Sequence, residues 1–413
     1  MRIAIIGSGV AGLVSAHLLA PHHDVTLFEA DGRLGGHAHT HVIADGGETI
    51  AIDTGFMVFN NECYPILSGF FEDWGIASRP SDMSFSVADD VADVEWCGTN
   101  LRTIFAQRRN LVRPWFWRML VTIVRFNKAA LAHLESDAPD VSLDAFLECG
   151  GYPERFRDFY LIPMGASIWS ANPATFGDFP ARSLFRFLNN HGLLSLGARP
   201  QWRTLVGGSA RYVAHIAAGL TDVRLASPVT AVERTGAGVA VTSPSGCELF
   251  DHVVIATHSD IALAMLRDAS PLETEVLGAI RYQDNLATLH ADGSLMPTRP
   301  QARASWNYRR LPGATVPVLT YDVTRLQGLG GTKRYYVTLN QADVIDPAQV
   351  VATMHYAHPV FDGPAMAAQS RWAEVSGVNG VSFAGAYWGY GFHEDGAASA
   401  VRVVVTLNAQ PYA

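Results

Sequence analysis

Three glycines and one acid near the start of the chain carry the clearest chemistry. Gly7, Gly9 and Gly12 stand in the spacing Gly-x-Gly-x-x-Gly, and Glu29 lies 22 positions beyond the first of them. The apolar run Arg2-Ile3-Ala4-Ile5-Ile6 reads as a strand, Leu13–Ala20 as a helix, and Val25-Thr26-Leu27-Phe28 as a second strand. In that setting each residue has a mechanical task. Gly7 permits a tight turn. Gly9 lets backbone approach a pyrophosphate. Gly12 lets helix and strand pack closely. The helix N-terminus offers unpaired N–H groups to phosphate oxygens. Glu29 can accept hydrogen bonds from ribose hydroxyls and would repel a 2′-phosphate. The expectation is a bound dinucleotide, either NAD or FAD.

The residues after Glu29 narrow the choice. Arg33, Gly35 and Gly36 form an Arg-x-Gly-Gly run, and Asp53 and Gly55 an Asp-x-Gly. Gly207-Gly208 precedes a helix-like stretch, Val229 lies in the strand-like run 228–232, and residues 250–257 read as a buried strand. Near the other end stand Gly385 and the run Gly391-Phe392-His393-Glu394-Asp395-Gly396-Ala397. On these residues the sequence resembles the flavin-containing amine oxidase superfamily, which also holds carotenoid desaturases and protoporphyrinogen oxidases. His37 departs from the pattern, where many members carry arginine, and so does Ala386, where many carry an acid. The runs 165–170, 287–297, 304–308 and 386–396 look closest to bacterial FAD oxidoreductases that are similar to the N-terminal domain of plant cyclopropane fatty-acid synthases.

The resemblance implies FAD as cofactor. It implies that Gly7, Gly9, Gly12, Glu29, Arg33, Gly35, Gly36, His37, Gly55, Val229, Gly385, Asp395 and Gly396 contact it. A helix starting near Asp395 would place its N-terminus against the charge that builds at N1–C2=O on reduction. His393 and Glu394 rank first for moving a proton because they sit in this flavin-proximal motif, and His290 beside Asp292 is the other titratable pair. A satisfied structural histidine is the competing reading for each. His37, His39 and His41 alternate as possible metal ligands, but the favoured place for His37 is beside the flavin, and no metal is expected.

These pieces need a scaffold that gathers distant stretches. The expectation is an α/β fold. Residues 1–75, 200–262 and 375–413 would form a discontinuous Rossmann-like FAD-binding domain, and residues 76–199 and 263–374 an inserted α+β substrate domain. Hydrophobic residues make up 48% of the 413 and charged residues 17%, which excludes a disordered chain. The net charge of −9 argues against a nucleic-acid binder. Four widely spaced cysteines read as free thiols in a reducing compartment, and no signal peptide is expected. The expected location is the cytoplasm, with contact at the inner face of the membrane.

That contact rests on a basic island. Residues 101–134 hold Arg102, Arg108, Arg109, Arg113, Arg118, Arg125 and Lys128 and no acid, among many aromatic and aliphatic residues. Arginines on one helical side and Trp, Phe and Leu on the other suit a membrane interface. A helix packed on its own domain with a solvated arginine face is the competing reading. The leading function is dehydrogenation (desaturation) of a phospholipid-bound fatty-acyl chain, with or without a methyl branch, by hydride transfer to flavin N5, with a lipid methyltransferase as partner. The alternatives are a soluble amine oxidase releasing hydrogen peroxide and a non-catalytic FAD-binding accessory of such a methyltransferase. The chain has only two lysines, Lys128 and Lys333. Neither matches the lysine that the resemblance would place near N5, which weighs against the oxidase.

Overall fold

A computed structural model describes residues 1–195, 197, 200–313 and 317–409; the expected domain segments also include 196, 198, 199, 314–316 and 410–413, which lie outside the described residues. The fold is α/β. Its first layer is a five-stranded parallel sheet in the order Val381–Phe383, His252–Ile255, Arg2–Ile6, Asp24–Phe28, Asp222–Arg224. Ile3, Ile5, Val253, Val254 and Ile255 are fully buried. A parallel strand covered on both faces needs such a continuous apolar run. Helix Val10–Leu19 buries Val10–Ala16 and Leu19, because the last helix, His393–Ala409, packs along its outer side.

The second layer is a seven-stranded mixed sheet in the order Val350–Pro359, Tyr282–His290, Tyr336–Leu339, Val318–Asp322, Trp306–Arg310, Phe85–Asp89, Val94–Cys97. Every pairing is antiparallel except Trp306–Arg310 with Phe85–Asp89. Residues 101–190 add a mostly helical part whose core is aromatic, with Phe116, Phe126, Phe156 and Phe185 fully buried together. Two stretches that sequence placed in the second domain, 271–280 and 365–372, contribute Val276, Leu277, Ala365 and Trp372 to the core of the parallel sheet. The strand read at 228–232 starts only at Ala231 and runs to Thr235. Among the described residues no helix is long and apolar enough to cross a membrane.

Candidate FAD site

The glycine loop is shaped by what its residues lack. Gly7 adopts φ +99° and donates its N–H to the Phe28 carbonyl at 2.8 Å, tying the loop to the second strand. A Cβ on Gly12 would collide with the Gly7 carbonyl, so only glycine lets the helix start this close to the strand end. A Cβ on Gly9 would meet nothing within 4 Å, leaving open space directly over the helix start. Gly9 is also the N-cap of helix Val10–Leu19, and no side chain caps it. An uncapped helix N-terminus below a backbone with open space above it fits a diphosphate. This is the observation that supports the dinucleotide.

A second turn lies on this loop. Gly35 donates to both the carbonyl and the hydroxyl of Ser8 at 3.1 Å, and Arg33 holds the turn through the Gly36 carbonyl at 2.8 Å. Gly36 sits so near that its Cβ would come within 3.1 Å of the Gly9 Cα. Glu29 accepts from the Ser8 N–H and hydroxyl through Oε2 at 2.8 and 2.5 Å, and from the Asp31 N–H through Oε1 at 2.9 Å. Its Oε1, with one protein donor, keeps room for a ribose hydroxyl. The chain from Arg224 to Ser227 runs alongside, exchanging hydrogen bonds with the Glu29 backbone at 2.9 and 2.8 Å. Val229 follows two residues later, partly buried against the same core.

Asp53 braces the other wall. It is 1% exposed, and its carboxylate accepts from Thr40 Oγ1 (2.5 Å), Ser209 N–H (2.9 Å) and Ser209 Oγ (2.7 Å). Burial pushes its carboxyl up to about 6, against the pull of these donors. It thereby joins the hairpin Thr40–Asp53 to the Gly207-Gly208 turn, where both glycines have φ +84°. Gly55 must be glycine because a Cβ would strike the His37 carbonyl.

The last helix closes the site. A Cβ on Gly396 would approach Val10 Cγ1 to 2.6 Å, so the N-termini of two helices converge beside Gly9. Gly385 is held by the Ser399 hydroxyl at 2.8 Å. Asp395 accepts from the Phe392 N–H at 2.9 Å, and burial pushes its carboxyl up to about 6. Its side chain shapes the turn, and the helix end is what remains to face a cofactor. The ring of His393 lies flat on Phe56, with centroids 4.0 Å apart. Its buried Nε2 has no hydrogen-bond partner, and burial lowers its pKa to about 3.

Two catalytic expectations give way to structural roles. Glu394 accepts from the Ile66 and Leu67 N–H groups at 2.8 and 3.1 Å, capping helix Pro65–Asp73. Both its oxygens are therefore engaged at a helix start, and burial raises its pKa against the pull of these two N–H groups. His290 is fully buried at the end of strand Tyr282–His290. Its Nδ1 accepts from the Asp292 N–H at 3.2 Å and its Nε2 meets Thr338 Oγ1 at 2.8 Å, which leaves neither nitrogen free. The other end of that strand touches the site through Tyr282 and Asn285, and the five residues of strand from Asn285 put His290 about 17 Å away.

Sequence reasoning placed His37 at this site but missed the two histidines that gather round it, His258 and His358. His37 stacks on Tyr356 (4.7 Å) and faces His358 (5.3 Å) and His258 (6.4 Å). The His37 Nε2 is buried without a partner. Burial, then the neighbouring His358, His258 and His393, hold its pKa well below the histidine range. Burial lowers that of His358 to about 4. Asn285 Nδ2 donates to His358 Nδ1 at 2.8 Å, and His258 stacks on Tyr282 at 4.3 Å. His258 was findable, since it directly follows the run 250–257 that the sequence shows as a buried strand, within which His252–Ile255 forms one. His358 was not, because its partner Asn285 is 73 residues away. Among the described residues no group of three or more His, Cys, Asp or Glu could hold a metal.

The loop before the last helix meets the helical part through aromatic rings. Phe392 stacks on Phe187 (5.0 Å), Trp169 lies 4.5 Å from Phe187, and the Trp169 Nε1–H donates to the Tyr390 carbonyl at 3.1 Å. Neither lysine is nearby in the chain's packing. Lys128 is exposed on helix Pro114–Glu135, and the Lys333 N–H donates to Asp45 at the hairpin tip.

A model of the family described as flavin containing amine oxidoreductase matches residues 10–290. The flavin-dependent L-tryptophan oxidase of Lentzea aerocolonigenes is 44% identical over 57 residues, which span 14% of this chain and 12% of that protein. A putrescine oxidase solved with putrescine superposes with a TM-score of 0.70 at 15% identity, over 99% of this chain and 100% of that one. A fatty acid isomerase from P. acnes that produces CLA gives 0.67 at 16%, over 98% of each chain. At such identity the likeness shows the fold alone. The family match spans most of the chain and starts on the helix whose open N-terminus suits a diphosphate: the chain belongs to the flavin-containing amine oxidoreductases and is an FAD-dependent oxidoreductase.

Proposed function

We propose that the protein dehydrogenates a phospholipid-bound fatty-acyl chain, with or without a methyl branch. The observation that carries this reading is the aromatic seam of Trp169, Phe187, Tyr390 and Phe392 at the loop that leads into the cofactor-facing helix. It is an apolar lining, with Trp169 and Phe187 buried and Tyr390 and Phe392 half-buried, and it holds no lysine. Such surface suits methylenes, and little in it would hold a free ammonium group by charge. The likeness of the fold to a fatty acid isomerase is compatible with it.

FAD, when bound, supplies a hydride acceptor at N5. The chain's own residues have three tasks. The seam positions an acyl carbon and excludes water. The converging helix ends of Val10–Leu19 and His393–Ala409 favour the anionic groups of the cofactor. Of the imidazoles gathered here, that of His258, which Asp260 and Asp284 pull back against the effect of burial, accepts the proton that leaves the adjacent carbon, so that one C–H gives a hydride, the next a proton, and a C=C bond remains. A lipid methyltransferase acting on the same acyl chain is the proposed partner.

The second reading is a soluble amine or amino-acid oxidase, favoured by the matched stretch of a tryptophan oxidase. The test is anaerobic mixing of FAD-loaded protein with acyl phospholipids or with an amine panel that includes putrescine and L-tryptophan. Bleaching of the flavin by phospholipid alone is expected. Bleaching by an amine alone overturns the proposal in favour of the oxidase. No bleaching by either overturns it in favour of a non-catalytic accessory.

A further inference from the structure

We propose that the solvent face of helix Pro114–Glu135, with the turn before it, docks the protein on an anionic lipid bilayer. The structure turns the helix differently from a simple division into arginine and aromatic sides. Phe116, Met119 and Phe126 face inward and are buried in the helical part. A second apolar stripe remains outside. Trp117, Val121, Val124, Lys128 and Leu131 fall within about 80° of one another at 100° per residue. Val121 is 68% exposed and Trp117 46%, and just before the helix Val112 is 82% exposed.

This concentration is local. Among the described residues, seven of the twenty exposed large hydrophobics lie between Leu101 and Leu131. Exposed apolar residues so grouped mark a contact surface rather than scatter. The Trp117 Nε1–H donates to the Leu111 carbonyl at 2.9 Å, which fixes the indole beside the turn.

Charge selects the occupant. Residues 101–134 contain seven cations and no acid, and Glu135, the last residue of the helix, is the one acid on this face of the helix. Some of these cations serve the fold. Arg109 pairs with Asp93, and Arg125 reaches the Gly150 and Gly151 carbonyls and covers Tyr152 at 4.3 Å. Arg102, Arg108, Arg118 and Lys128 are exposed and, among the described residues, form no ion pair. Arg118 flanks the apolar stripe and Lys128 lies within it. An open pocket of about 500 Å³ beside the turn is lined by Gln107, Arg108, Arg109 and Arg299, with Asp93 and Ala106. A protein partner would need matching relief and opposite charge at defined points. A bilayer needs only an apolar stripe at acyl depth and cations at the phosphate level. The helix is about 33 Å long and can lie along that plane.

The inference is independent of the acyl-chain reading, because docking is measured without turnover. The test is flotation of the FAD-loaded full chain with phosphatidylcholine vesicles that contain or lack phosphatidylglycerol. Binding to the phosphatidylglycerol vesicles alone is expected, and it should weaken as salt rises. The double variant Val121→Asp/Val124→Asp should bind about ten-fold less or worse. Arg118→Glu/Lys128→Glu should lose about five-fold or more per residue. Both pairs are solvent-facing, and flavin absorbance equal to the wild type reports that the fold is intact. Failure of the wild type to float with anionic vesicles overturns the proposal, as does undiminished flotation of both double variants. A wild-type dimer that these substitutions split, with no vesicle binding, overturns it by giving the face to a second copy of the chain.

Discussion

The glycine cradle and the helical insertion solve their tasks with opposite parts of the chain. Around Gly7, Gly9, Gly12 and Gly36 the useful groups are backbone N–H donors and empty space, and side chains would be obstacles. Around Phe126, Phe185, Phe187 and Phe392 the useful groups are the side chains themselves, packed ring against ring, edge-on between Phe126 and Phe185 and face-on between Phe187 and Phe392. The first kind of site tolerates almost no substitution at its glycines, since any Cβ enters occupied or required space. The second resists in proportion to the volume removed. The cofactor grip is therefore close to all-or-none, and the helical part is graded.

The largest effect should come from breaking the cradle. Gly12→Val drives two methyl groups toward the Gly7 carbonyl, so purified protein should carry no FAD, read from its visible absorbance. Full flavin content in that variant would refute the all-or-none half of the contrast. Next comes Phe126→Ala, which empties a fully buried ring site in the insertion. It should cost about 3–5 kcal/mol of stability by denaturant titration, while the flavin spectrum persists at low denaturant. The smallest effect belongs to Glu394→Gln. An amide oxygen still accepts from one of the two helix N–H groups, so turnover should change by less than about five-fold, roughly 1 kcal/mol of lost capping. A loss of about a hundred-fold or more would return Glu394 to proton transfer.

What the sequence disclosed follows the same contrast. The glycine loop, its helix and its acid are neighbours in the chain, so spacing alone was enough to read them. Glu394 and His290 could not be judged this way. Their fates depend on the Ile66 and Leu67 N–H groups and on Thr338, which the fold brings in from far along the chain. The basic island shows an intermediate case. Its helix and cations were legible, but the inward turn of Phe116 and Phe126 required Phe156 and Phe185, which come later in the chain. The exposed stripe at Trp117, Val121, Val124 and Leu131 was there to be found, since its steps of four, three and seven follow helical periodicity. The parallel sheet hid its edge strand Val381–Phe383 for a plainer reason: three residues are too few to carry a pattern.

The meeting of Gly396 with Val10 also sets an order of events during synthesis. The strand Arg2–Ile6 and helix Val10–Leu19 are made long before the helix His393–Ala409 that completes their cofactor surface. Contacts this remote in sequence carry a large loop-closure cost and form late. Until then the outer side of helix Val10–Leu19 is apolar and uncovered, open to chaperones and to aggregation. Flavin loading thus follows the arrival of residues 393–409, and a chain cut short before them would be left with half a cradle and a bare hydrophobic flank.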